Sequence, residues 1–302
     1  MLVGRSAVAL SQEFSMNRLK LLAVAGLTAL TLSACGGDKN LAAKDPVTAA
    51  KDLSVALRNN DFNRISHIMV PPEDYAKMEA QFKDQQARQP APSAEESKKF
   101  EEQIAQFTAS GAEDKLFAQL QPQLAQMGPQ IPMGVALMTG MLGQSIDNST
   151  KLTPAEKEQA KTVLTAVTKW ATTAPLTDEA KAKQAIGIVV GTARDLKLTS
   201  LDAMHKLSYS EAMDKAGVAV GGVRKVLAVY GFDTDKMLAS VTVDKKSENG
   251  DNAVVTVRYT ILDAPITVDM AMVRRDGRWY SADLLKSVEQ SLGAAASPAV
   301  AN

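Results

Sequence analysis

The chain is short of almost everything that usually carries chemistry. It has one cysteine, Cys35, and two histidines, His67 and His205, in 302 residues. A lone cysteine excludes an intramolecular disulfide, and two histidines far apart in sequence, with no thiol beside either, argue against a zinc site. No serine opens a Ser-x-x-Lys pattern, no glycine precedes a lysine as in a phosphate loop, and His-Glu-x-x-His is absent. Gly143-Gln144-Ser145-Ile146-Asp147 lacks the second glycine of a nucleophile elbow and follows a helical pattern rather than a strand. Aromatic residues make up only 5% of the chain, so the interior has to be packed from alanine, methionine and aliphatic side chains. The formal net charge is zero, which leaves no basic face of the kind a nucleic-acid backbone requires. No cofactor and no metal is implied.

What is present begins near the amino terminus. From Met16 the chain reads Met-Asn-Arg-Leu-Lys, then an apolar run from Leu21 to Leu32, then Ser33-Ala34-Cys35. A basic head, a short apolar core and small residues before a cut make an export signal. The run falls short of the roughly 20 apolar residues that a membrane helix needs. Leu32-Ser33-Ala34-Cys35 resembles the lipobox of bacterial lipoproteins, in which the cysteine sulfur is acylated and the peptide is cut ahead of it. That resemblance implies residues 1–34 as a removed signal with its true start at Met16, and Cys35 as the lipid-attachment residue carrying three acyl chains. It also implies a cell-envelope location. Gly36 after the cysteine, in place of an aspartate, is similar to the sorting pattern for the outer membrane, facing the periplasm. The other reading of Cys35 is a buried or incidental thiol. Removing residues 1–34 takes away Arg5, Arg18, Lys20 and Glu13, leaving a body of net charge about −2.

Periodicity places this body in the α+β class, predominantly helical, with a three- to four-stranded antiparallel meander at its carboxyl end. Residues 36–45 are small and polar and read as a tether. Helices are expected from about Val47 to Asn59 and, opened by Pro71-Pro72, from about Glu73 to Arg88. Five further helical stretches should fill the region from Ala94 to about Tyr230. Thr153-Pro154-Ala155-Glu156 is a capping box, and Ala160, Val163, Leu164, Val167 and Trp170 then share one helical face. The helix from about Glu211 to Tyr230 should stop at Gly231. The spacings Gly187/Gly191, Gly217/Gly221 and Ala136/Gly140 suggest close backbone approach, because glycine costs about 1 kcal/mol inside a helix. Met133 to Leu142 carries no charge and could face a partner or lipid.

After Gly231 the period becomes two. A strand from about Leu238 to Lys245 should precede two strands joined at Asp263-Ala264, a register that sets Arg258 opposite Asp269. Asp276-Gly277 is a favoured hairpin turn and should set Trp279 opposite Arg274. Residues 293–302 read as a disordered tail.

Helices followed by a meander whose last hairpin runs Met-Val-Arg-Arg-Asp-Gly-Arg-Trp-Tyr (Met272 to Tyr280) resemble the nuclear-transport-factor-like, cystatin-like superfamily. The early helix ending Leu57-Arg58-Asn59-Asn60-Asp61-Phe62 is similar to the opening of such domains. The resemblance implies a curved sheet around a helix, with a pocket bringing Tyr259, Met270, Met272 and Trp279 towards the helix 211–230. Residues 94–200 have no place in the compact fold. They are either a helical insertion into the body 46–292 or a separate domain. The functional expectation is a lipid-anchored envelope lipoprotein whose non-catalytic body binds a ligand or an envelope protein partner. The alternative is an envelope hydrolase or isomerase using that pocket, with His205, Asp269 or Asp283 as acid or base.

Overall fold

The computed structural model describes residues 40–296 of the 302-residue chain. Cys35, the signal and the expected lipobox lie outside the described residues. The first described residues already make specific contacts. The Asn40 amide donates to the Tyr280 hydroxyl at 2.7 Å, Arg278 donates to the Ala42 carbonyl, and the Trp279 amide donates to the Ala43 carbonyl. Ala42 is buried. The later half of the expected tether 36–45 is therefore docked along the outer edge of the last strand, covering main-chain groups that an edge strand otherwise leaves open.

Among the described residues follow twelve α-helices, one 3-10 turn (Gly128–Gln130) and four strands. Helix α1 (Pro46–Arg58) starts where the Asp45 carboxylate accepts from the Thr48 amide and proline fills the first position. After α2 (Phe62–Ile68) and α3 (Pro72–Arg88) come α4 (Ala94–Thr108), α5 (Ala112–Met127) and α6 (Ile131–Asn148). Then follow α7 (Pro154–Thr173), α8 (Glu179–Leu196), α9 (Leu201–His205) and α10 (Tyr209–Val229). Between Ala94 and Tyr230 there are seven helices rather than five, the extra ones arising from a break at Ala109-Ser110-Gly111 and the single turn of α9. The capping box at Thr153 and Glu156 has both its hydrogen bonds, as do two others at Ser93 with Glu96 and Ser208 with Glu211.

Helix α11 (Thr234–Ala239) leads into β1 (Thr242–Asn249), β2 (Asn252–Ile261), β3 (Ala264–Arg275) and β4 (Arg278–Ser281), and α12 (Ala282–Ala296) closes the described chain. The sheet is a meander in the order β1-β2-β3-β4. Leu238 is helical, so β1 begins later than its sequence suggested. Helix α12 runs past Gly293, so the start of the expected disordered tail is helical; residues 297–302 lie outside the described residues.

The β2–β3 register also differs. Leu262 and Asp263 form the turn, both at positive φ (48° and 67°), the geometry whose twist matches a two-residue hairpin. Ile261 then pairs with Ala264, Arg258 faces Thr267, and Asp269 faces Thr256. The shift is two residues, so every side chain keeps its expected face. Asp269 instead accepts from Thr256 at 2.8 Å and from Lys246 at 2.6 Å, and Arg258 pairs with Asp244. The β3–β4 hairpin has the expected register, with Arg274 opposite Trp279 and its guanidinium 5.5 Å from the indole centroid.

The main core lies between the sheet and α1. Ala50 meets Val243, Val255, Val257, Met272 and Trp279, and α11 adds Met237 and Leu238. A second cluster around Val70, Tyr75, Tyr280 and Leu285 covers the other face of β4. Helices α5 and α8 build a separate small core from Phe117, Leu124 and Ala182.

Helix α10 packs on α8 and α2, and two of its glycines allow this. A β-carbon on Gly217 would stand 2.2 Å from the Asn60 carbonyl oxygen, and one on Gly222 would meet Thr192 at 2.4 Å. No atom outside the local helix lies within 4 Å of such a position at Gly140, Gly187 or Gly191, so those spacings do not mark close approaches within this chain. Gly217→Ala should therefore lower the unfolding free energy by about 3 kcal/mol through overpacking against backbone. Gly187→Ala should raise it by up to about 1 kcal/mol through helix propensity alone. Urea denaturation of both variants tests the assignment, and equal effects would contradict it.

Candidate functional site

The four residues expected to line a pocket do not share one. Trp279 and Met272 are only 1% and 3% exposed and sit in the main core. The void beside Met270, Met272 and Trp279 is about 10 Å³, room for one water at most. Helix α10, which spans the expected 211–230 wall, lies against α2 and α8 instead of the sheet. The place is taken by α1, whose Ala49 and Ala50 let its backbone approach the strands closely.

Tyr259 is the exception. It belongs to the main core cluster but lies towards the β2–β3 turn, where the sheet is faced by the amino-terminal half of α7. Between them runs a groove of about 400 Å³, lined by Ala155, Ala160 and Val163 of α7 and by Tyr259, Ile266 and Val268 of the sheet. That volume is within the usual range for small-molecule pockets. Gln159 ties its two walls together by donating to the Thr267 carbonyl at 2.5 Å. The apolar face of α7 was legible from the spacing of Ala160 and Val163. Their partner on the sheet was not, because nothing in the sequence says which helix covers which end of β2 and β3.

Burial pushes the Tyr259 hydroxyl up to about 12, so at neutral pH it is a firm hydrogen-bond donor. Asp269, at the same groove, is held below the ordinary carboxylate range by its hydrogen bonds from Lys246 and Thr256. Glu156 is engaged by the Thr153 cap.

The acid–base candidates are dispersed. His205 ends α9, Asp269 stands in β3 among Lys246 and Thr256, and Asp283 is exposed in the first turn of α12. Among the described residues no hydrogen bond or ion pair joins any two of the three. His67 stacks on Tyr75 with centroids 3.8 Å apart. Among the described residues no group of three or more His, Cys, Asp or Glu side chains is arranged to hold a metal.

A second surface stands out on α6. Its inner stripe, Ile131, Val135, Thr139, Gly143 and Ile146, lies against α7, with Thr139 and Thr168 hydroxyls 2.8 Å apart. The opposite side is apolar and uncovered: Met133 is 73% exposed, Leu137 65%, Met141 60% and Met138 57%. No charged residue occurs between Lys115 and Asp147. Exposed apolar patches of this kind mark interaction surfaces. No helix among the described residues is long and apolar enough to cross a membrane.

Two measurements follow. Met138→Lys should change stability by no more than about 0.5 kcal/mol, as for an ordinary surface substitution; a loss of several kcal/mol on thermal unfolding would place this residue in a core. In an alkaline spectrophotometric titration, Tyr259→Phe should remove one late-titrating tyrosine. The folded hydroxyl is raised to about 12 against roughly 10 in an unfolded chain. Its contribution to stability is therefore complete below pH ~10 and lost as the pH climbs through the folded value.

No protein-family model matches the chain, and comparison with curated proteins and with solved structures returns no significant match.

Proposed function

We propose that the chain is a lipid-anchored cell-envelope lipoprotein, held through acyl groups on Cys35 at the outer membrane facing the periplasm. Its body is non-catalytic and binds a partner or a ligand. The anchor rests on Arg18 and Lys20, the apolar run to Leu32, and Leu32-Ser33-Ala34-Cys35. More than one acyl chain is needed for stable attachment, and the three chains implied by the lipobox meet that condition. Four residues separate Cys35 from Asn40, where the chain is already engaged with Tyr280. An extended chain advances at most about 3.6 Å per residue, so the body would ride close to the bilayer surface.

The observation that carries the binding role is the uncovered apolar side of α6. A helix of 18 residues packed by one neighbour, with four methionine and leucine side chains more than half exposed, loses apolar burial that a partner would supply. The hydrolase or isomerase reading requires His205, Asp269 or Asp283 to reach a shared reacting atom, and their placement on α9, β3 and α12 gives it no support.

Fractionation of cells expressing Cys35→Ser tests the anchor. The wild-type chain should sediment with membranes and the variant should move to the soluble fraction. Membrane retention of the variant at wild-type level, with no lipid on the wild-type chain by mass spectrometry, would overturn the reading.

A further inference from the structure

Tyr259 is 8% exposed, and its hydroxyl makes no hydrogen bond to any of the described residues. The ring is buried, but the hydroxyl itself keeps access to solvent through the groove that it lines, where it is left to donate to water or to a ligand. Here the ring lines the α7–sheet groove, whose remaining walls are largely methyl and methylene groups from Ala155, Ala160, Val163, Ile266 and Val268. A donor with no acceptor among the described residues, opening into a mainly apolar groove of about 400 Å³, is the arrangement of a ligand site, in which apolar walls supply affinity and one polar group fixes orientation.

The charge around the groove selects among ligands. No lysine or arginine is among its lining residues, whereas Glu156 and Asp269 are. Both carboxylates are already satisfied, by the Thr153 cap and by Lys246 with Thr256. A bound anion would meet two carboxylates and no free cation, because Lys246 is already paired with Asp269, and a bound cation would find its counter-charges taken. An uncharged head group meets neither penalty.

We propose that this groove binds an uncharged amphiphile, with an acyl chain along Ala160, Val163, Ile266 and Val268 and an ester or amide carbonyl accepting a hydrogen bond from Tyr259. The site belongs to α7, outside the sheet-and-helix pocket implied by the superfamily resemblance. It rests on the ligand-binding half of the function proposed above and is independent of the anchor.

The test is calorimetric titration of the purified full-length Cys35→Ser chain with monolauroylglycerol below its aggregation concentration, with laurate as the charged comparator. Saturable one-to-one binding is expected, with laurate at least tenfold weaker. Tyr259→Phe should weaken binding about fivefold, the worth of one neutral hydrogen bond, and Val163→Trp should abolish it by filling the groove. If Val163→Trp fails to fold, Ala155→Trp at the exposed rim serves instead. The proposal is overturned if monolauroylglycerol does not saturate, if the tryptophan variant binds like the parent, if Tyr259→Phe changes nothing, or if laurate binds equally well. Failure of the anchor would appear only as membrane retention of Cys35→Ser, so the two readings fail separately.

Discussion

The structure depends on how α10 grips the turn between α1 and α2. Asn60 adopts a left-handed backbone, φ 54°, and its carbonyl lies where a side chain on Gly217 would stand. Arg224, about two turns further along α10, completes the grip. Its Nη1 donates to the Leu57 and Arg58 carbonyls and to Asn60 Oδ1, its Nε donates to Thr234 Oγ1, and Nη2 meets Asp235. The carbonyls at the end of α1 have no intrahelical partners, and a guanidinium is a rigid fork of donors suited to satisfying several at once. The side chain is only 11% exposed, and burying it is tolerable because its donors are used. One cation thereby joins α1, α10 and α11, and both α1 and α11 supply the core under the sheet.

The arrangement of small residues follows from the same contact. With few aromatics to fill space, close packing is reached by removing side chains: Ala50 against the strands, and Gly217 and Gly222 against Asn60 and Thr192. Because α1 approaches the sheet so closely, the face carrying Met272 and Trp279 is filled. Beside the sheet, space remains where α7 faces β3, and Tyr259 stands at that place. Trp170 then fixes the far end of α7, its indole donating to the Tyr230 carbonyl at 2.9 Å and meeting Phe232 edge-on. The groove is thus held at one end by Gln159 on Thr267 and at the other by the end of α10. Helix α6 is carried on the outside of α7, with its methionines turned away from the body.

Several parts of this were legible in the sequence because they are local. The capping box at Thr153 needs only residues three apart, and those the structure adds at Ser93 and Ser208 have the same local spacing. The alternation along β2 and β3 fixed which side chains face inward, and Asp276-Gly277 set the last hairpin. The β2–β3 turn was misplaced by residue type, since leucine at Leu262 is a poor match for positive φ. The pairing of the flanking strands holds it there, and the two-residue shift leaves the buried face unchanged. The short segment Asn40 to Lys44 looked like a tether because its composition is small and polar. What docks it is hydrogen bonding to β4, one bond main chain to main chain and two through the side chains of Asn40, Arg278 and Tyr280, which composition does not register.

Sequence by itself determined the class of the fold, the alternation of the sheet, and the one position, Cys35, that resembles a processing site. Tertiary structure decided which helix covers which surface. It put α1 under the sheet, separated α10 from it, gave Gly217 its purpose while leaving Gly187 without one, and opened the groove beside Tyr259. The physical reason is that a helical stripe states only that a face will be buried. Its partner is chosen by closest approach, and closest approach is set by side chains and backbones far apart in the chain.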